Sequence, residues 1–394
     1  MAHALLSASG SERWLNCPPS ARLEENLPSR YSNAAEEGTL AHAVAELMNM
    51  YNFSKVMENG FTKKKFNAEL AILEKNPLYS AEMLEHASTF SSYVSELYQE
   101  KKKKKKSPLI FLEHHIDFSN YVPEGFGRGD VLLVSDDEIH IIDYKYGTGV
   151  PVSAENNSQM QLYALGAYDE FSFAGGYENA KLSIYQPRID NFSDWEISFK
   201  ELLDWAGTEV KTKAELAFDG AGDFNPSPKG HCKFCKAKPI CKALAEHNLK
   251  LMERKGTDPR VLNNSEIADI LKTGEGLSDW LNAIEDYTVE KLLEGEKFEG
   301  FKVVEGRSIR KYTDIAAIAE ILQQEKYSED EIFKKDLIGI GAMEKLLGKT
   351  AFVELLHQYV DKPQGKPTLA PETDKRPVFS TAAKDFAEIA NQNL

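Results

Sequence analysis

Apolar residues recur at helical spacing across residues 34–57 (AAEEGTLAHAVAELMNMYNFSKVM), behind an acidic first turn, and again across 81–100. The second run is interrupted by the lysines at 101–106 and by Pro108. The period then shortens to that of extended chain. Residues 110–118, 131–134, 138–142 and 182–185 predict short strands. Helical spacing returns at 158–168 and over a longer stretch, 198–217. Helix, three strands, helix, strand predicts an α/β core built on a mixed central sheet.

Residues 223–229 (DFNPSPK), flanked by Gly222 and Gly230, predict a Pro/Asn turn segment that leads into a cysteine cluster, with a helix expected from about Lys242. Beyond residue 255 the pattern changes. Two helices are expected in 264–295, an isolated strand at FKVVEG, and three more short helices in 313–358. From Asp361 onward, Pro, Lys and small residues predict a poorly ordered tail. The expected organisation is a core domain at 1–250, a mostly helical accessory domain at 251–360 with a short strand near 301–305, and a flexible tail at 361–394. No internal repeat is evident.

Composition adds limits. The chain has 394 residues, enough for one large core and a second domain. Its net charge of −15 argues against a protein that coats nucleic acid non-specifically, but is compatible with one local basic channel. The lysine run at 101–106 is expected to be a solvated loop or frayed helix end. The segment MAHALLSASGSERWLNCPP is too weakly apolar for a secretory signal, and no run of eighteen apolar residues occurs. The expectation is a soluble, cytoplasmic protein with no membrane association.

The segment GFGRGDVLLVSDDEIHIIDYKYGTG carries the sharpest chemistry. Two extended runs flank Asp136 and Asp137, which predicts a hairpin with a two-residue turn. Paired residue numbers then sum to 273, and Asp130 lies opposite Asp143. Directly opposed residues have Cβ atoms roughly 4.5–5.5 Å apart, and two bare carboxylates at that distance repel. A divalent cation resolves the conflict, and hard oxygen ligands suit Mg²⁺ or Mn²⁺. Lys145, two residues past Asp143, projects from the same face if the strand continues. There it can orient or help deprotonate a water, or offset charge on a phosphate oxygen. A D-x-K tripeptide alone would more often be strand-end polar residues and a surface lysine; the register coincidence with Asp130 sets this one apart.

Other candidates surround this pair. Glu113 in the first strand is a possible further ligand, directly or through water, and Asp117 competes for that role, with His114 and His115 between them. His42 lies one turn from Gly38 and Glu46, although Leu40, Val44 and Leu47 make a packing role a fair alternative. Gln159 and Tyr163, spaced i,i+4, can share one helical face, and as a bare pair they read equally as helix surface and core.

Cys232-x2-Cys235-x5-Cys241, with Cys17 far upstream, supplies four thiolates. That is a full ligand set for a [4Fe–4S] cluster or a structural Zn²⁺, and spacing alone does not choose between them. A metal held this way ties residue 17 to residues 232–241. From Lys229 to Lys242 there are five lysines and no acidic residue in KGHCKFCKAKPICK's neighbourhood, so the surroundings favour thiolate charge and could also face a DNA backbone.

Together these motifs resemble the PD-(D/E)XK nuclease superfamily in its RecB-like branch, notably CRISPR-associated and AddB-type exonucleases that carry an iron–sulfur cluster. GTLAH (38–42) resembles the first-helix histidine motif. GRGD (127–130) resembles the G-x-x-D element, and DYK (143–145) the (D/E)-x-K element, with Asp143 as ligand and Lys145 as catalytic lysine. Gln159 and Tyr163 resemble the Q-x-x-x-Y motif, and one cysteine before with three after resembles the cluster ligation. Aspartate stands at 143 where glutamate is commoner. The resemblance covers about the first 250 residues. It implies a restriction-endonuclease-like core, site roles for His42, Gln159 and Tyr163, and iron–sulfur in preference to zinc.

The whole chain also resembles phage and prophage proteins of that branch. This implies DNA recombination, replication or repair in a bacterial host cell, on DNA that is single-stranded or has a free end, beside a single-strand-binding or recombination partner. In GFKVVEGRSIRKYTD (300–314), Arg307, Arg310 and Lys311 could contact DNA or offset acidic helices. No Walker-type element is present, so no ATP-driven motor is encoded here. The leading expectation is a metal-dependent DNA exonuclease. A structure-selective endonuclease would use the same residues, and a non-catalytic DNA-binding or assembly factor would keep the fold alone.

Overall fold

A computed structural model describes residues 4–28, 33–58, 60–104, 108–173, 176–250, 263–274 and 276–304, with scattered positions between 321 and 360. The chain divides into two compact units, Met1–Val304 and Glu305–Leu394. Within the second, the helix Lys349–Leu356 is described. The first unit thus runs some way past residue 250.

The first unit is an α/β structure on a five-stranded sheet: β1 (Leu109–Asp117), β2 (Phe126–Val134), β3 (Glu138–Tyr144), β4 (Asn179–Gln186) and β5 (Asn191–Ser198), in that spatial order. All neighbours are antiparallel except β3 and β4, which are parallel. Parallel neighbours need a crossover, and the helix Ser158–Phe171 provides it. The β2–β3 pairs, from Val131↔Ile142 to Val134↔Ile139, all sum to 273, as the hairpin pattern requires. The turn closes where Ser135 N–H donates to the Glu138 carbonyl at 2.9 Å.

Both faces of the sheet are covered, and strand alternation sorts the residues between two cores. Leu132, Val134, Ile139, Ile141, Leu182 and Ile184 face one core. It is shared with the N-terminal helices α1 (Ser11–Asn16) and α2 (Ser20–Glu25), with the crossover helix, and with the helical stretch beginning at Phe199. Val131, Leu133, Ile142, Tyr144 and Tyr185 face the other core. There they meet α3 (Asn33–Asn52) and, after α4 (Lys63–Leu73), α5 (Ala81–Lys103). The crossover helix, α6, lies close on β1 because residue 166 is glycine. A Cβ there would come within 2.6 Å of the Asp117 carbonyl oxygen.

The stretch expected as one helix at 198–217 is α7 (Phe199–Trp205), a π turn (Ala206–Val210) and α8 (Lys211–Asp219). Then come α9 (Lys242–Leu249), α10 (Asn264–Thr273) and α11 (Leu277–Leu293). Strand β5 and helices α1, α2 and α4 had no counterpart in the sequence pattern.

Two expectations need correction. Residues 301–304 are not in a strand; no partner strand pairs with them among the described residues, and the rest of that segment lies outside those residues, as do Arg307, Arg310, Lys311 and the tail from Asp361. The lysine run is also not simply a solvated end. Helix α5 continues through Lys103, and Lys101 is buried in an ion pair with Glu138 at the start of β3. That pair fixes the end of α5 to the hairpin.

Candidate metal centre

The site grows from the strand register. The β1–β2 ladder runs to Leu112↔Val131 and resumes at His114↔Gly129, so the skipped position sets Glu113 opposite Asp130. The β2–β3 ladder stops at Val131↔Ile142, and the next position sets Asp130 opposite Asp143. Three carboxylates therefore stand in a row across three adjacent strands. Glu113 has φ 47°, a left-handed conformation unusual for a residue in a strand. It coincides with the break in the ladder.

Helix α3 adds the imidazole. Leu40, Ala41, Val44 and Ala45 bury one side of the helix. His42 reaches Asp130 Oδ1 through Nδ1 at 3.2 Å, and its ring packs edge-on against Tyr144 with centroids 5.6 Å apart. One donor atom each from His42, Glu113 and Asp130 lie within 4.8 Å of one another. Two carboxylate oxygens and an imidazole nitrogen form a donor set suited to a divalent cation.

The electrostatics show charge in need of a partner. Burial pushes Glu113 up to about 7, helped by Asp130 and Glu46. Burial works to lower the pKa of His42, but the Asp130 carboxylate outweighs it and the value rises to about 9. Asp130 is also buried, yet His42, the Tyr144 N–H and Lys145 hold its pKa below the ordinary carboxylate value. Burial raises that of Asp143 against the pull of Lys145.

Beside the trio, Asp143, Lys145 and Gln159 interlock. Lys145 Nζ lies 2.9 Å from Asp143 Oδ2. It also donates to Gln159 Oε1 at 3.2 Å, while Gln159 Nε2 donates to Asp143 Oδ1 at 3.2 Å. Burial disfavours the ammonium, but Asp143 more than compensates and the lysine pKa is raised. Asp130 Oδ2 accepts the backbone N–H of Tyr144 at 2.7 Å, tying β2 to the end of β3. Helix α6, capped by Asn157 accepting from the Met160 N–H, aims Gln159 at this cluster. One turn later Tyr163 is 5% exposed, with Gln159 and the Arg128 backbone as hydrogen-bond partners. Tyr163 therefore ties α6 to β2.

The remaining β1 candidates stand apart from this site. Asp117 accepts the Ser119 N–H at 2.8 Å beyond the strand end. His114 pairs with Glu170 of α6 at 2.9 Å, and His115 stacks on Phe126 with centroids 5.3 Å apart. Glu46, one turn past His42, is a neighbour that the motifs did not single out. Its pKa is raised by burial, opposed by Arg128, with further repulsion from Asp130.

The four cysteines converge elsewhere. Cys17, Cys232, Cys235 and Cys241, all free thiols, line a single cavity with Arg13 and His231 on its wall. Cys17 follows α1, and Cys241 caps α9 at its N-terminus. The Ser227 N–H donates to Cys232 Sγ at 3.3 Å. Four soft donors around one cavity fit a thiolate-bound metal or cluster. Lys238 also lies on this wall, and Glu24 pairs with Arg13 behind it. Sequence reasoning missed Arg13 and Glu24, because nothing in their spacing to the cysteines signals a contact.

Fold and sites together define an α/β protein with a mixed sheet, an acid–histidine centre built from the middle of β1 and β2 with α3, and a four-thiol cavity. Residues 3–377 match the family described as "Protein of unknown function (DUF2800)", and the chain belongs to that family. Among solved structures, one titled "Crystal structure of SSO0001" is similar at 20% identity over 51% of this chain and 85% of that one. Its TM-score of 0.24 is too low to carry an argument.

No helix among the described residues is long and apolar enough to cross a membrane.

Proposed function

We propose that this protein is a divalent-metal-dependent deoxyribonuclease, favoured as an exonuclease, built on a restriction-endonuclease-like core of the RecB-like PD-(D/E)XK type. The observation that carries this reading is the meeting of His42, Glu113 and Asp130 beside the interlocked Asp143, Lys145 and Gln159. The order of these groups along the elements supports it further: histidine on a helix, aspartate on β2, aspartate and lysine at the end of β3, and glutamine and tyrosine on the next helix.

When bound, Mg²⁺ or Mn²⁺ supplies Lewis acidity toward a phosphate oxygen and an acidified water. Asp130, Glu113 and His42 would hold it, with Asp143 adjoining. Lys145, held against Asp143 and Gln159, offers charge to a phosphate oxygen and orients or helps deprotonate a water. Gln159 fixes the rotamers of both Asp143 and Lys145 at once, so the site is ordered before a substrate arrives.

The cysteine cavity is proposed to hold a [4Fe–4S] cluster that closes the nuclease region. Four thiols around one cavity suit a cluster or a tetrahedral Zn²⁺, and the likeness of the cysteine layout, one before and three after, to iron–sulfur nucleases favours the cluster. The proposed substrate is DNA that is single-stranded or has a free end, in phage or prophage recombination, replication or repair, in the cytoplasm of a bacterial host, with a single-strand-binding or recombination protein as partner.

Lys145→Ala tests the assignment of roles. Single-turnover cleavage is expected to fall by about 10²-fold or more, with DNA affinity changed only a few-fold. Equal losses in cleavage and binding would reduce Lys145 to a phosphate anchor and remove the catalytic reading.

A further inference from the structure

Glu24 is an unusual neighbour for a thiolate site. It is 6% exposed on α2, and one of its oxygens accepts the Lys236 N–H, the residue next to Cys235. The Cys235 thiol also hydrogen-bonds to this carboxylate. On its other side, Glu24 Oε2 is paired with Arg13 Nε at 2.5 Å. Arg13 itself lies on the wall of the four-cysteine cavity, and its carbonyl accepts the Cys17 N–H at 2.8 Å. Lys236 Nζ adds a contact to the Leu27 carbonyl at 3.4 Å. Cys17 and the loop carrying Cys235 are therefore joined through Arg13 and Glu24 without help from a metal.

This arrangement has an electrostatic cost once Cys235 acts as a ligand. The ligand form of cysteine is the thiolate. A thiolate beside a buried carboxylate repels it unless a cation intervenes, and Arg13 is the cation in contact with that carboxylate.

We propose that Arg13 is a charge-compensating positioning residue for the four-cysteine site, and that Glu24 is the anchor that docks the Cys235 loop onto α2. This inference rests on the reading of the cavity as a metal site, but holds for an iron–sulfur cluster and for zinc alike. Its signature is asymmetry. In an ordinary structural ion pair, removal of either partner does similar harm. Here loss of Arg13 leaves the Glu24 charge against the thiolate. Glu24→Gln keeps an oxygen for the Lys236 N–H and removes the repulsion.

The test is metal release from the full-length protein, purified anaerobically and challenged with bathophenanthroline for iron or pyridylazoresorcinol for zinc. Arg13→Gln is expected to release metal about tenfold faster than wild type or more. Glu24→Gln should release it no faster than wild type, and the double variant Arg13→Gln/Glu24→Gln should recover most of the lost retention. Release from Arg13→Gln within about twofold of wild type overturns the inference, as does a double variant no better than Arg13→Gln alone. If Arg13→Gln does not fold, Glu24→Gln decides: release more than about threefold faster than wild type refutes charge compensation. A zinc-loaded wild type with the expected order would sink the iron–sulfur reading and leave this inference standing. An iron-loaded wild type with the wrong order would do the reverse. A wild type that retains neither metal would overturn both.

Discussion

Tyr163 lies against Gly127 with no room for a side chain between them: a Cβ on residue 127 would come within 2.6 Å of the ring and 3.0 Å of its hydroxyl oxygen. The contact links two motifs that are 36 residues apart in the chain (163 minus 127). Glycine at the start of β2 admits the tyrosine of α6, and the same helix carries Gln159 to Asp143 and Lys145.

Gly127→Ala should therefore act on the site from a distance. The ring must move, and α6 or β2 with it, at a cost of about 1–3 kcal/mol in stability. Gln159 would lose its alignment, and cleavage should fall by more than the stability loss explains. Urea denaturation beside single-turnover kinetics checks this. A variant with unchanged rates would show that Tyr163 is packing alone.

Glu113 separates stability from function in the opposite direction. Its φ of 47° suits glycine better than glutamate. Glu113→Gly is expected to leave stability unchanged or raise it by up to about 1 kcal/mol, while weakening Mn²⁺ binding. Calorimetry of Mn²⁺ binding and thermal unfolding read the two effects separately. Undiminished Mn²⁺ affinity would remove Glu113 from the ligand set.

His140 gives the fold a pH dependence of its own. It is 1% exposed on β3, and its Nε2 lies 2.7 Å from the Ser183 hydroxyl, which donates to Asp194 at 2.6 Å. Ser183 thus accepts from a neutral imidazole protonated at Nε2. Burial first, then Lys181 and Lys101, hold the pKa well below the ordinary histidine value; Glu138 and Asp194 are the acidic groups nearby. The folded state resists a proton that the unfolded chain accepts near pH 6.5. Stability from this group is therefore complete above about pH 6.5 and is lost as the pH falls toward the depressed folded value. Relative to His140→Gln, the urea midpoint of the wild type should drop between pH 7.5 and 5.5; His42 and Glu113, whose pKa values are raised, act in the opposite sense in both proteins. An equally steep profile in the variant would place the dependence elsewhere.

Much of this was legible in the chain. The alternation at 131–134 and 138–142 sufficed for the hairpin register, and with it the placing of Asp130 opposite Asp143. The same arithmetic applied to the β1–β2 pair, whose residues sum to 243, would have set Glu113 opposite Asp130. It was hidden because the connection at 118–125 is too irregular to fix a register from turn chemistry. Strand β5 (NFSDWEIS) was missed because it is an edge strand with mostly polar or exposed positions, so its alternation carries little apolar signal. The charged pair beside the cysteine cavity was invisible for another reason. Arg13 and Glu24 meet the loop at 232–241 through more than 200 residues of intervening chain, and a charged residue on a short helix looks the same whether it is solvated or buried.

The central claim is tested most directly by digestion of end-labelled single-stranded DNA by the anaerobically purified protein. Wild type and Asp143→Ala are compared with Mn²⁺, with Mg²⁺ and with EDTA. Metal-dependent loss of label or laddering by wild type, abolished in a folded Asp143→Ala and by EDTA, is the predicted result. Metal-dependent cleavage retained by Asp143→Ala would contradict the site assignment, and no cleavage by a folded, metal-loaded wild type would contradict the nuclease itself.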